Sequence, residues 1–142
     1  MSSSKLSQSD ILYLYDFLCR YEQELKNQAG TFDINNLKLD KYLKEQDIYL
    51  GALNAGERKK STQHRFYILY DQRANNKASG GDKIHHLLRH VRNAIAHNLV
   101  SKGRKQMLSL QDKSKDEKMA MEGHIRAEVF YALLDLLIES KK

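Results

Sequence analysis

The feature that most constrains the fold is the helical spacing of apolar residues along a chain of 142 residues that contains no proline. Ser7 and Asp10 form a capping-box pattern in front of the first apolar stripe, and Gly30 is a natural stop beyond it. Asp82 is expected to be the N-cap of a later helix, after a loop at residues 75–81. The spacing predicts helices at about residues 8–28, 39–50, 58–73, 84–99 and 124–140.

A different pattern near the C-terminal end predicts two strands. Residues 106–111 and 118–122 alternate, or partly alternate, between apolar and polar on either side of a polar run, which is typical of a β-hairpin. We therefore predict an all-α fold, a bundle of four or five helices with a small β-hairpin inserted before the last helix. The chain, residues 1–142, is expected to be a single domain in which residues 1–5 form a disordered tail.

The composition restricts the class of protein. Hydrophobic residues make up 41% of the chain and charged residues 30%, which is typical of soluble globular proteins. No apolar run approaches the roughly 20 residues that span a bilayer, and the N-terminal segment lacks the apolar core of a signal peptide, so we expect a cytoplasmic protein with no membrane partner. The single cysteine, Cys19, excludes an internal disulfide, and its place in an apolar helical pattern predicts a buried thiol. The net charge of +6 admits a polyanionic partner, although the basic residues are dispersed.

Residues 84–99 carry two opposed stripes when they are placed on a helix at about 100° per residue. The apolar stripe is expected to face the core, and the polar stripe lies on the opposite side, with Arg89 and Arg92 between them. An outer helix face normally carries lysine and glutamate, so a face of three imidazoles and an amide indicates a function. The apolar stripe consists of Ile84, Leu87, Leu88, Val91 and Ile95, and the polar stripe of His86, His90, Asn93 and His97.

The segment LLRHVRNAIAHN, residues 87–98, resembles the signature of the HEPN superfamily of small all-helical domains. In that signature an arginine, usually followed by a polar residue, precedes a histidine by a few residues, as Arg92, Asn93 and His97 are arranged here. Small residues fill the gap between them, and a strongly amphipathic helix carries the whole pattern. The resemblance implies a HEPN-like helical bundle, which agrees with the predicted helices.

The resemblance also implies an activity, a metal-independent endoribonuclease of the toxin or phage-defence kind that acts as a homodimer on RNA. The expected products carry 2′,3′-cyclic phosphate and 5′-hydroxyl ends. His97 suits the acid–base steps at neutral pH, and the guanidinium of Arg92 suits stabilisation of a charged phosphorane. With Asn93, which could orient the imidazole or a phosphate, these are the predicted catalytic residues. Arg89 and His90 are the predicted substrate contacts.

The same resemblance implies that the two subunits of a dimer share one catalytic site. One protomer supplies one motif histidine, so the acid and the base are most simply divided across a two-fold axis. The resemblance further implies an antitoxin or a nucleotidyltransferase-type protein as a partner. His86 and His90 are spaced like a metal-binding pair, but no neighbouring carboxylate or cysteine completes a site, so neither a metal nor another cofactor is expected.

Other interpretations of the motif residues stay open. Arg92 could pair with a carboxylate such as Glu128 or Asp135. His97 could simply end its helix in front of a left-handed Asn98. The alternative functions are a non-catalytic HEPN-like module for binding or dimerisation, and a nucleic-acid-binding protein of another kind whose histidine face is a protein interface.

Overall fold

The computed structural model describes residues 6–72, 82–114 and 116–142, in which helices and strands are mixed along the chain. Two 3-10 turns, Leu25–Asn27 and Arg104–Gln106, lie between the regular elements. The helices are α1 (Gln8–Gln23), α2 (Leu37–Gln46), α3 (Ala55–Ser61), α4 (Lys83–Ala96) and α5 (Ala127–Glu139), and the strands are β1 (Ile48–Ala52), β2 (Phe66–Tyr70), β3 (Val100–Lys102), β4 (Met107–Lys113) and β5 (Met119–Arg126).

The five strands of the described residues form one mixed sheet in the order β1-β2-β5-β4-β3, so the predicted all-α helical bundle is wrong. β1 and β2 are parallel and are joined through α3, whereas the other neighbouring pairs are antiparallel. Strands β1, β2 and the three-residue β3 were not predicted from the sequence. β1 and β2 are only five residues long and nearly continuously apolar, a pattern that periodicity does not distinguish from a buried helix. Their isoleucine, tyrosine and phenylalanine residues favour strands.

The predicted second and third helices are longer than the helices that the structure contains there. α2 ends at Gln46 because Asp47 adopts the left-handed conformation, with φ of 56°. The chain then enters β1 instead of continuing as a helix to residue 50. The predicted helix at residues 58–73 overlaps only the end of α3, and its aromatic half is β2.

The predicted hairpin strands are present, but they are not a small insertion. β4 and β5 pair over most of their length, and β5 lies at the centre of the sheet between β2 and β4. Gly123 allows close packing there, since a Cβ atom on it would lie 3.1 Å from Ile68 Cγ1 and 3.3 Å from the Tyr67 carbonyl oxygen. Residues 124–126, predicted as helix, complete β5, and α5 begins at Ala127.

The predicted N-caps of two helices are confirmed. Ser7 and Asp10 form a complete capping box, each side chain bonded to the other residue's backbone N–H. Asp82 caps α4 by accepting from the backbone N–H of His85, and its other oxygen accepts from the backbone N–H groups of Gly30 and Phe32. The predicted loop at residues 75–81 and the tail at residues 1–5 lie outside the described residues.

A buried ion pair fastens the start of α1 to β3 and α5. Lys102 Nζ lies 2.7 Å from one oxygen of Asp10, and the Tyr131 hydroxyl donates to the other oxygen at 2.7 Å. Burial acts to raise the pKa of the Asp10 carboxyl, but hydrogen bonds from Lys102, Tyr131 and Ser7 outweigh it and hold that pKa well below its ordinary value. This cluster joins elements far apart in sequence.

The sheet and the larger helices share one apolar core. α4 packs against α1 on one side and against β4 and β2 on the other, while α5 packs against β5 and α2. The expected burial of Cys19 is wrong, because its thiol is exposed on α1. Among the described residues, no helix combines the length and apolar character needed to cross a membrane. α4 therefore carries its motif between a helix and a sheet.

Candidate functional site

The apolar stripe of α4 lies in the core as predicted. Ile84, Leu87, Leu88 and Val91 are fully buried, and Ile95 is half-buried against the same core. The opposite stripe is not one continuous surface, because α4 lies between α1 and the sheet. His86 and His90 are 1% and 3% exposed, Asn93 is half-buried, and His97 is exposed.

His90 forms a buried pair with Asp112, a residue of β4. Its ring Nδ1 lies 2.7 Å from Asp112 Oδ2, and its Nε2 lies 3.1 Å from the backbone carbonyl oxygen of Asp71. A carbonyl oxygen only accepts hydrogen bonds, so Nε2 is the donor to Asp71, while Nδ1 and Asp112 Oδ2 share the second hydrogen bond. His90, predicted as a substrate contact, is thus enclosed and bonded at both ring nitrogens.

Asn93 connects this pair to the motif arginine. Its side-chain Nδ2 donates to Asp112 Oδ2 at 3.3 Å, and its Oδ1 accepts from Arg92 Nη1 at 3.2 Å. The predicted role of orienting the His97 ring is not seen, because both ends of the amide contact other groups. The link to His97 is through the backbone, where the His97 N–H donates to the Asn93 carbonyl oxygen at 2.9 Å.

Arg92 is held from a second direction by α1. Its Nε donates to Glu22 Oε1 at 2.8 Å, and about one third of its side chain remains exposed (33%). The hydrogen bond from Arg92, followed by that from Lys26, lowers the pKa of the Glu22 carboxyl. The expected alternative of an arginine–carboxylate pair is therefore realised with Glu22, and not with Glu128 or Asp135.

His97 forms the C-terminal cap of α4. Its ring is exposed, and within the described parts of the chain no residue is hydrogen-bonded to it. The next residue, Asn98, adopts the left-handed conformation with φ of 58°, which is the geometry of the alternative in which His97 ends its helix. Arg92 and His97 are five residues apart, about 140° around an ideal helix. The structure brings Arg92 and Asn93 together and leaves the imidazole of His97 separate from both.

Arg89 and His86 carry buried polar atoms without partners. Within the described residues, neither ring nitrogen of His86 has a hydrogen bond, nor does Arg89 Nε. Burial, followed by the positive charge of Arg89, lowers the pKa of the His86 imidazole. No group of three or more potential metal ligands occurs in the parts of the chain that the structure describes.

Two residues that complete the arrangement, Asp112 and Glu22, were not singled out from the sequence. Asp112 follows Leu108 and Leu110 on the inward-facing phase of β4, where all three are buried. A carboxylate on the buried phase of a strand needs a polar partner, so this alternation is the signal that could have found it. Glu22 carries no comparable signal, because it is one of several charged residues on α1.

The comparisons with known proteins place no family on this arrangement. No family model matches the chain, and neither the curated proteins nor the solved structures contain a match to it. The likeness to HEPN proteins consequently rests on residues 87–98 alone, within a fold that is not the expected all-helical bundle.

Proposed function

We propose that this chain is a metal-independent endoribonuclease that acts as a homodimer and uses Arg92 and His97. The observation that carries the proposal is the position of Arg92 at the molecular surface. Its two known contacts, to Glu22 and Asn93, occupy two of the five donors of a guanidinium. The remaining donors are available to the oxygens of an RNA phosphate, and the side chain is already oriented by the two contacts.

His97 supplies the acid–base group. An exposed imidazole can accept the proton of a ribose 2′-hydroxyl or protonate the leaving 5′-oxygen at neutral pH. Because Arg92 and His97 are about 140° apart around an ideal helix, we expect that a single chain does not present both groups to one phosphate. A two-fold axis near the end of α4 would bring the His97 rings of both copies to one shared site, where one ring acts as the base and the other as the acid beside the Arg92 guanidiniums.

An apolar surface beside the motif supports a second copy as the partner. Ile11, Leu12 and Tyr15 of α1 are 52%, 65% and 64% exposed, which is unusual for side chains of this size. Ile11 and Tyr15 line a largely apolar groove that continues to Ile95 and Asn98, on either side of His97 in sequence. Burying this surface in a symmetric dimer would place the two ends of α4 close together.

A binding or dimerisation module without catalysis is the second candidate. This candidate is favoured because two motif side chains already have partners within the protein. Arg92 is paired with the carboxylate of Glu22, and Asn93 donates a hydrogen bond to Asp112. In that case the apolar surface on α1 would receive a protein partner, and the motif would serve the stability of α4.

Cleavage of RNA by matched variants in EDTA separates the two candidates. The wild type should cleave total RNA, whereas Arg92→Ala and His97→Ala should reduce the rate by at least about a hundredfold with the fold intact. Arg104→Ala and His124→Ala are the matched controls, because they remove exposed residues of the same types elsewhere. Equal activity of all five proteins would contradict the proposal, and a folded, dimeric wild type that cleaves no RNA would favour the binding module.

Mixing subunits tests the shared site. When wild-type chains are exchanged into dimers with excess His97→Ala chains, activity per wild-type chain should fall in proportion to the wild-type fraction, because both histidines of a dimer are needed. An unchanged activity per wild-type chain would instead show that one histidine is enough, which contradicts the division of acid and base between the two copies.

A further inference from the structure

The amide of Asn93 has a defined orientation, and its partners determine it. Its nitrogen faces Asp112 at 3.3 Å and its oxygen faces Arg92 at 3.2 Å. An ionised carboxylate can only accept hydrogen bonds, and a guanidinium can only donate them. The reverse orientation would oppose the amide oxygen to a carboxylate oxygen and the amide nitrogen to guanidinium donors. The contact with Asp112 and the contact with Arg92 therefore favour the same orientation of the Asn93 amide.

We propose that Asp112 is the positioning residue of this site, because its acceptor-only carboxylate turns the Asn93 amide so that the oxygen faces Arg92. Asp112 is suited to this role because it lies on β4 and is 3% exposed, so the surrounding packing restrains its carboxylate. The same oxygen, Oδ2, also receives His90 Nδ1, which holds the carboxylate in place. The buried His90–Asp112 pair thereby fixes Arg92 through one intervening amide.

The proposal predicts what an uncharged residue at position 112 does. In Asp112→Asn the new side chain offers an amide nitrogen that can donate to a neutral His90 ring. That state avoids a buried imidazolium without a counter-charge, which is unfavourable. Asn93 must then present its oxygen to the new donor, so its own nitrogen turns towards Arg92. Arg92 loses an acceptor and retains only its contact with Glu22.

The consequence for the hydrogen bonds does not depend on the proposed function, whereas the consequence for RNA cleavage does. Nuclear magnetic resonance of the folded protein tests the hydrogen bonds directly and requires no catalytic activity. In the wild type, the side-chain amide protons of Asn93 should show nuclear Overhauser effects to the ring Nδ1 proton of His90, because both groups donate to the same oxygen. Effects from these amide protons to the Arg92 guanidinium, with none to His90, would overturn the proposal even if no variant folds.

The variants give the second test. Asp112→Asn should shift the side-chain resonances of Arg92 and speed the solvent exchange of its guanidinium protons, while Asp116→Asn, a matched change on the exposed hairpin turn, should not. The double variant Asn93→Asp with Asp112→Asn restores an acceptor opposite Arg92 and should recover the slow exchange. Unchanged Arg92 resonances in folded Asp112→Asn would overturn the proposal.

If the wild type cleaves RNA, Asp112→Asn should lower kcat about ten- to a hundredfold with little change in KM, since it displaces a group that acts in the transition state. A fall in activity that follows only the amount of folded protein would show that Asp112 acts through stability alone, which contradicts the positioning role. Absence of cleavage by the wild type would refute the proposed function and leave the resonance test of Asp112 intact.

Discussion

His90 Nδ1 and Asp112 Oδ2 lie 2.7 Å apart with 3% and 5% of their side chains exposed, so a buried hydrogen-bonded pair joins α4 to β4. Removal of one partner leaves the other without compensation inside the core. Asp112→Ala should therefore lower the free energy of unfolding by about 3–5 kcal/mol, measured by urea denaturation. Asp116→Ala, at an exposed site in the same hairpin, should change it by less than about 0.5 kcal/mol. Similar values for both variants would contradict the pair's structural role.

The capping carboxylate of Asp10 makes the protein acid-sensitive. Because the pKa of Asp10 is lowered in the folded state, the stability it contributes is complete above its unfolded value near 3.9 and is lost as the pH falls below that value. The free energy of unfolding of Asp10→Asn should consequently depend less on pH between about 5 and 2 than that of the wild type. Parallel curves for the two proteins would show that Asp10 has no lowered pKa.

His86 should produce a second pH dependence in a higher range. Burial lowers the pKa of its ring in the folded state, so its contribution is complete above the unfolded value near 6.5 and is lost as the pH falls below 6.5. His86→Leu should flatten the fall in unfolding free energy between about pH 6.5 and 5, and the exposed His124→Leu controls for the loss of one histidine. A steeper fall in His86→Leu than in the wild type would contradict this account.

A side chain at Gly123 should destabilise the sheet. A Cβ atom there would meet Ile68, Leu110 and the Tyr67 carbonyl oxygen at 3.1–3.3 Å in the middle of the sheet. Gly123→Ala should therefore lower the free energy of unfolding by about 1–3 kcal/mol. Gly56→Ala in α3, where the nearest atom would lie 3.5 Å away, should leave stability unchanged or raise it by up to about 1 kcal/mol. The opposite ranking in thermal denaturation would refute the packing argument.

Local chemistry made parts of the fold predictable. The starts of α1 and α4 follow from Ser7 and Asp82, since a capping side chain acts within a few residues of itself. The strands β1 and β2 could not be separated from helix, because their five apolar residues become a strand only by pairing with distant segments. The mixed sheet therefore depends on contacts that no local pattern reveals.

In the candidate site, too, local features were predictable and long-range contacts were not. The left-handed Asn98 after His97 is a local feature and was predicted, whereas the burial of His90 was not. The partner of His90 is Asp112, on a strand 22 residues further along the chain. A helical wheel describes the two faces of α4 but not the element that covers each one. The polar stripe was interpreted as a surface because the packing of the sheet against it, including the predicted strand β4, was not predicted.

The ends of the RNA products give the most direct test of the central claim, that Arg92 and His97 cleave RNA without a metal. Purified dimeric protein is incubated with a defined RNA in EDTA, and the products are analysed by mass spectrometry. The wild type should yield 2′,3′-cyclic phosphate and 5′-hydroxyl ends, and His97→Ala should yield neither. No cleavage by the wild type, products with 5′-phosphate ends, or the same products from His97→Ala would contradict the claim.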